Sequence, residues 1–164
     1  KEFWKMIKIL DEEFYSGYII KGNKILAYSL NKDQEKLIEQ LKSIAIFHNL
    51  DGDLIFDERL DKFFEERIKR FLNGEKFSFD LSYYKYKEIY EELLKIEKGK
   101  AITYKELKEK TNLNYIEIIK ALKNNPFIIL IPCHRVIKSN KDIGEYTPLG
   151  KEFKKKLLKY EGYL

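Results

Sequence analysis

Cys133 is the residue whose type and surroundings most readily support chemistry. It is the only cysteine among 164 residues, and it lies in the run Ile131-Pro132-Cys133-His134-Arg135-Val136. A thiol becomes a strong nucleophile when a base or a positive charge favours its thiolate form. His134 follows directly and can act as that base, alone or through a water molecule. The run therefore predicts a nucleophilic cysteine rather than a buried thiol that packs as a small hydrophobe.

A catalytic histidine usually needs a third group that fixes its tautomer and orientation. Glu161, in Tyr160-Glu161-Gly162, is a candidate, although such a residue can also be a solvated carboxylate in a tail. One cysteine and two histidines, His48 and His134, are too few for a zinc site of the Cys/His type. We therefore expect neither a metal nor a cofactor.

The elements around Cys133 are predicted to be mostly helical. Apolar spacing indicates four helices, at 84–97, 104–110, 114–123 and 149–160, and a buried strand at 127–131. Thr103 and Glu106 have the spacing of a capping box at the second of these helices. The second and third helices together have the helix-turn-helix pattern, which also occurs in many domains that do not bind DNA.

The first half of the chain has a different pattern. Residues 14–20 and 24–30 are rich in β-forming residues, and the Gly-Asn pair between them indicates a hairpin. Residues 33–48 and 57–73 have helical spacing. The fold class predicted is thus an α/β N-terminal domain (1–80) with a small β-sheet plus helices, followed by a mostly helical, winged helix-turn-helix C-terminal domain (81–164).

Composition excludes several classes of protein. Hydrophobic residues make up 44% and charged residues 36% of the chain, which is typical of a globular rather than a disordered protein. No apolar run approaches the ~18 residues of a membrane span, and the charged start does not resemble a secretory signal. A single cysteine excludes an internal disulfide framework and favours a reducing, cytoplasmic location.

The charge is unevenly distributed along the chain. Residues 1–80 hold 14 Lys/Arg against 16 Asp/Glu, a net charge of −2, whereas residues 81–164 hold 18 against 11, a net charge of +7. A basic half suggests contact with a polyanion, although a Lys-rich solvated surface would have the same composition.

The run Pro-Cys-His-Arg-Val at 132–136 resembles the active-site signature of the O6-alkylguanine-DNA alkyltransferase family. Four flanking segments are similar to that family as well: Asn125-Pro126, Ile102-Thr103-Tyr104 with Leu107, Ile143-Gly144-Glu145-Tyr146, and Lys151 to Gly162. The resemblance covers about residues 81–164, half of the chain.

This resemblance implies a DNA repair protein that transfers an alkyl group irreversibly to Cys133, once per molecule. It implies that His134 activates the thiol through a water and that Glu161 orients His134. Asn125 would brace the site, and Tyr104 would hydrogen-bond the base.

The resemblance also implies how DNA is bound. The partner would be double-stranded DNA containing O6-alkylguanine, approached from the minor groove with the base flipped out, and the protein would be a monomer. The expected substrate contacts are Val136, Gly144, Tyr146 and Thr147. The expected DNA contacts are Lys85, Thr103, Tyr115, Ile116, Lys123, Arg135 and Ser139.

The sequence departs from the family pattern at several positions. Relatives usually carry an Arg in the recognition helix that fills the gap left by the flipped base, whereas Ile116, beside Tyr115, stands there and 103–125 holds no Arg. An apolar side chain can wedge between bases, so either residue could take this role. Tyr90 stands where Trp is common. One extra residue separates Tyr146 from Glu161, and the zinc ligands that some relatives carry in the first half are missing.

Three alternative functions remain open from the residues. A non-enzymatic relative that flags alkylated DNA would carry Trp in place of Cys133. A winged-helix regulator with Cys133 as a redox sensor would bind one DNA sequence, and it leaves Tyr104, Asn125 and His134 unexplained. A Cys-His hydrolase usually keeps its two catalytic residues apart in sequence.

Overall fold

The computed structural model describes residues 6–164, which divide into two units. The first unit runs up to Lys76 and also includes Pro126–Leu130, whereas the second comprises Phe77–Asn125 and Ile131–Leu164. The division at residue 80 predicted from the sequence therefore differs from the structure at Pro126–Leu130, which belong to the first unit. Among residues 6–164, no helix combines the length and the apolar character needed to cross a bilayer.

The first unit is a small antiparallel sheet with two helices. Its strands are β1 (Ile7–Ile9), β2 (Glu12–Lys21), β3 (Lys24–Asn31) and β4 (Asp53–Ile55), and its helices are α1 (Gln34–His48) and α2 (Glu58–Leu72). Strand β2 pairs with the other three strands. The predicted hairpin is confirmed, with Gly22 in the left-handed region at a φ of 62°. Both predicted helices are confirmed, each capped by an aspartate, Asp33 and Asp57.

The core of the first unit lies between the sheet and α1. Buried aliphatic side chains from β2, β3 and α1 form it: Ile19, Leu26, Ala27, Leu37, Leu41 and Ile44. The three α1 members follow the helical spacing of the sequence, which explains why the 33–48 pattern could be predicted.

The second unit is mainly helical, as predicted. Its elements are α3 (Lys87–Leu94), β5 (Ile102–Thr103), α4 (Tyr104–Thr111), α5 (Tyr115–Lys123), β6 (Val136–Ile137) and α6 (Lys151–Glu161). Helix α3 is shorter than the predicted 84–97, because Tyr86 before it has left-handed backbone, with a φ of 54°.

Helices α4 and α5 form the predicted helix-turn-helix pair. The capping box of Thr103 and Glu106 at α4 is confirmed, and Asn114 with Glu117 makes a second one at α5. Asn112 ends α4 in the left-handed conformation, with a φ of 58°. The chain therefore turns sharply between two well-capped helices.

The prediction of a buried strand at 127–131 is wrong in part. The segment is buried, but it forms isolated bridges, such as the parallel one between Phe127 and Tyr28, instead of a strand. Ile129 has a φ of 74°, outside the extended region. The hydroxyl of Tyr28 donates to the carbonyl of Ile128. An apolar run can thus be buried without being a strand, because periodicity alone does not reveal the backbone path.

Candidate active site

Cys133 begins a 3₁₀ turn, Cys133–Arg135, instead of following a strand as predicted. The turn leads directly into β6, and β6 pairs in parallel with β5 immediately before α4. The register is Ile102 opposite Val136 and Thr103 opposite Ile137. This short sheet connects the reactive turn to the first helix of the helix-turn-helix pair.

Asn125 braces the thiol. Its Nδ2 donates to the carbonyl of Ile131 at 2.7 Å and to Sγ of Cys133 at 3.1 Å, and its side chain is buried. Burial raises the pKa of Cys133 to about 11, although the Asn125 hydrogen bond and the charge of Lys154 both act to lower it. The thiol therefore needs a base if it is to react at neutral pH.

Glu161 lies between His134 and Arg135 in the buried part of the site. Nε2 of His134 is 3.1 Å from both carboxylate oxygens. Arg135 donates from Nε at 3.0 Å to one oxygen and from Nη2 at 2.7 Å to the other. Burial alone would raise the pKa of Glu161, but the hydrogen bonds from His134 and Arg135 together outweigh it and hold the pKa at about 2.

His134 is consequently a neutral imidazole with one defined tautomer. Burial lowers its pKa more than the neighbouring Glu161 raises it. Because Glu161 is ionised, it can only accept, so Nε2 of His134 carries the proton and donates it. Nδ1 then carries a lone pair, and it has no hydrogen-bond partner within residues 6–164. A buried, unpaired Nδ1 beside Cys133 is a suitable proton acceptor.

The prediction that Arg135 contacts DNA is contradicted by its surroundings. Its side chain is 3% exposed. Besides Glu161, its guanidinium donates to the carbonyl of Ile96 at 2.6 Å. Arg135 therefore neutralises Glu161 inside the protein, a role that its position beside His134 did not reveal.

A pocket of about 360 Å³, partly continuous with solvent, opens beside the thiol. Eight residues line it: Tyr104, Ile119, Leu122, Lys123, Cys133, Glu145, Tyr146 and Thr147. Of the four expected substrate contacts, Tyr146 and Thr147 line the pocket. Val136 is fully buried in β6, and Gly144, with a φ of 77°, lies where an added Cβ would be 3.6 Å from the Tyr104 hydroxyl.

The expected DNA contacts differ in accessibility. Tyr115 and Ile116, at the start of α5, are 53% and 65% exposed. The ring of Tyr115 packs edge-on against the ring of Tyr104, with 5.8 Å between the ring centroids. Lys85, Lys123 and Ser139 are exposed. Thr103 is half-buried, and its hydroxyl takes part in the α4 capping box.

Sequence reasoning missed one charged residue of the site, Lys154 on α6. Its Nζ donates to the carbonyls of Val136 at 2.6 Å and Glu145 at 3.0 Å. The run of three lysines at 154–156 looks like a solvated face, yet Lys154 lies at helical spacing from Leu158 and Glu161, on the buried stripe. That spacing was the available signal.

Comparison with known proteins shows the family to which this chain belongs. A sequence profile described as "6-O-methylguanine DNA methyltransferase, DNA binding domain" matches residues 85–163. The methylated-DNA–protein-cysteine methyltransferase of Metallosphaera sedula is 32% identical over 131 residues, which are 80% of this chain and 75% of that protein. The chain belongs to the methylated-DNA–protein-cysteine methyltransferase family. It is accordingly a DNA repair methyltransferase with DNA as its partner.

Two further relatives agree with this assignment. The family member from Thermococcus sibiricus is 47% identical over 77 residues, 46% of this chain and 43% of that protein. The crystal structure of O6-methylguanine-DNA methyltransferase from Pyrococcus kodakaraensis has a TM-score of 0.71 and 25% identity, covering 97% of this chain and 98% of that one. The fold of both halves is therefore that of a methyltransferase in this family.

Proposed function

We propose that this methyltransferase takes an alkyl group from O6 of guanine in duplex DNA onto Cys133 and acts once per molecule. The observation that carries the proposal is Sγ of Cys133 at a pocket, next to a neutral histidine that Glu161 orients. That combination is the one that a base-activated sulfur nucleophile requires.

The reaction proceeds by in-line displacement at the alkyl carbon. Nδ1 of His134 takes the thiol proton through a water, and Glu161 stabilises the imidazolium that forms. The thiolate forms a C–S bond as the C–O6 bond breaks, and the electron pair goes to the guanine. The thioether product has no easy route to hydrolysis, so the protein is not regenerated.

Tyr104 assists the departure of the guanine. Burial raises the pKa of Tyr104 to about 12, so its hydroxyl keeps its proton at neutral pH. A hydroxyl that lines the pocket can donate to the flipped base as negative charge develops on it. Tyr146 and Thr147 line the same pocket and would contact the base, together with the backbone at Gly144.

DNA would be bound through α5 in the minor groove. Ile116 and Tyr115 are exposed at the start of this helix, and an apolar side chain can enter the stack that a flipped base leaves. Lys85, Lys123 and Ser139 would contact the backbone. We propose that the protein acts as a monomer, as the family resemblance implies, and that it is cytoplasmic, which the free thiol of Cys133 supports.

The test is intact-mass spectrometry after mixing the protein with a duplex that contains one O6-methylguanine. We expect a gain of one methylene mass on the Cys133 peptide, which saturates at one per molecule. The Cys133→Ser variant and an unmodified duplex are the controls, and both should give no gain. A wild-type protein that binds the modified duplex but stays unmodified would refute the proposal.

A further inference from the structure

Lys154 is a buried lysine whose charge the alkyl-transfer scheme has not used. It is 1% exposed, and its Nζ is held by the carbonyls of Val136 and Glu145. Within residues 6–164, no carboxylate lies at ion-pair distance from it. Burying an ammonium group without a carboxylate partner is costly, so a structural role alone would be filled more cheaply by an apolar side chain.

The two carbonyls place the ammonium group between the reactive turn and the pocket wall. Val136 directly follows the Cys133–Arg135 turn, and Glu145 lines the pocket that contains Cys133. An added Cβ on Gly144 would be 3.7 Å from Nζ of Lys154 and 3.6 Å from the hydroxyl of Tyr104. The cation is therefore held by one residue that adjoins the reactive turn and by one that lines the pocket.

We propose that Lys154 is a positioning residue for alkyl transfer, whose buried ammonium group stabilises the thiolate form of Cys133. The proposal rests on the proposed role of Cys133 as acceptor. Lys154 does not take the thiol proton, which passes to His134. Its charge instead favours the sulfur anion that remains, as a fixed positive charge does for other reactive thiols.

The electrostatics of the two groups agree with this role. Burial lowers the pKa of Lys154 to about 8, although the attraction of Cys133 acts to raise it, so the group is still largely cationic at neutral pH. The charge of Lys154 in turn lowers the pKa of Cys133. The other titratable groups that face the pair are Tyr90, Tyr104, His134, Lys138, Asp142 and Glu145.

The test measures thiol ionisation without DNA, from the pH dependence of Cys133 alkylation by iodoacetamide. Lys154→Gln keeps a hydrogen-bond donor for the carbonyls but removes the charge. We expect the alkylation rate near neutral pH to fall about tenfold, one unit of thiol pKa, with partial recovery in Lys154→Arg. Lys155→Gln, which removes an exposed charge from the next residue of α6, should match the wild type.

A folded Lys154→Gln whose alkylation profile matches that of the wild type would overturn the proposal. Failure of the wild type to accept a methyl group from DNA would instead refute the proposed function, because the alkylation measurement uses no DNA.

Discussion

At the residue scale, the Glu161 carboxylate interacts with two neighbouring side chains. It fixes the tautomer of His134, and it neutralises Arg135, whose guanidinium is buried with it. In the proposed mechanism this carboxylate supports catalysis through His134, and it also supports stability, because its removal leaves a buried cation without a partner. The one side chain should therefore affect both properties.

Glu161→Gln should abolish most alkyl transfer and destabilise the fold by about 3–5 kcal/mol, the typical cost of breaking a buried ion pair. Urea unfolding gives the stability, and single-turnover transfer from an O6-methylguanine duplex gives the activity. Glu152→Gln, an exposed acid on the same helix, is the control and should change neither. A Glu161→Gln protein of wild-type stability would contradict the proposed ion pairing.

Glu161 and His134 also predict that acid destabilises the protein. The pKa of Glu161 is about 2 in the folded protein, against an ordinary value of 4.5. Its contribution to the free energy of unfolding is therefore complete above pH 4.5 and is lost as the pH falls towards 2. This difference in pKa corresponds to a stabilisation of roughly 3 kcal/mol. The pKa of His134 in the folded protein lies below its ordinary value of 6.5. As the pH falls below 6.5, the unfolded chain is therefore protonated at His134 before the folded protein is, and the free energy of unfolding decreases further.

The measurement is the free energy of unfolding as a function of pH. Between pH 4.5 and about 3, the wild type should lose stability more steeply than Glu161→Gln, because only the wild type has this carboxylate to protonate. Equal slopes for the two proteins would show that the Glu161 pKa is not depressed in the folded chain.

At the element scale, α5 is built to present its first residues. The Asn114–Glu117 capping box begins the helix cleanly, and it leaves Tyr115 and Ile116 exposed while Ile118, Ala121 and Leu122 are buried. Side chains that are exposed in this way are available to contact a partner. We expect that partner to be the gap that a flipped base leaves in a duplex.

Ile116→Ala should slow alkyl transfer about tenfold at saturating DNA, because losing an apolar wedge of this size costs about 1–2 kcal/mol of stacking. Protein stability should be unchanged, since the side chain is exposed. Ile116→Arg, which restores the residue type usual in the family, should recover the rate. A wild-type rate in Ile116→Ala would show that Ile116 is not the side chain that enters the base stack. Tyr115→Ala would then test Tyr115 in the same role.

At the scale of the whole molecule, net charge is divided unevenly between the two halves of the sequence. The half with net charge +7 includes every expected DNA contact, whereas the half with −2 includes none. Binding to undamaged duplex should therefore be strongly salt-dependent and largely carried by lysines of the second half.

Lys85→Gln and Lys123→Gln should each weaken binding to any duplex and reduce the slope of log K against log salt by about one. Fluorescence anisotropy at several salt concentrations measures this. Lys62→Gln removes the same charge from the exposed face of α2 in the first unit and should leave the slope unchanged. Equal effects of all three variants would mean that net charge, not these contacts, controls binding.

Elements that depend on residues close together in sequence could be predicted from the sequence alone. Helices α1, α2, α4 and α5 follow their apolar spacing, and the capping box at Thr103 depends only on residues three apart. The four short strands β1, β4, β5 and β6 escaped prediction, because two or three residues carry too little pattern. The shortening of α3 depends on one residue, Tyr86, in an unusual conformation.

The sequence by itself determined the helix-turn-helix pair and predicted the nucleophile and its histidine, because those features are contiguous or have local periodicity. Only the tertiary structure decided which charges are buried. It turned Arg135 from an expected DNA contact into the partner of Glu161, and it placed the ammonium group of Lys154 on the carbonyls of Val136 and Glu145. A buried charge is stabilised by groups far away in sequence, so local spacing can place Lys154 on the buried stripe of α6 but cannot show which groups its ammonium contacts.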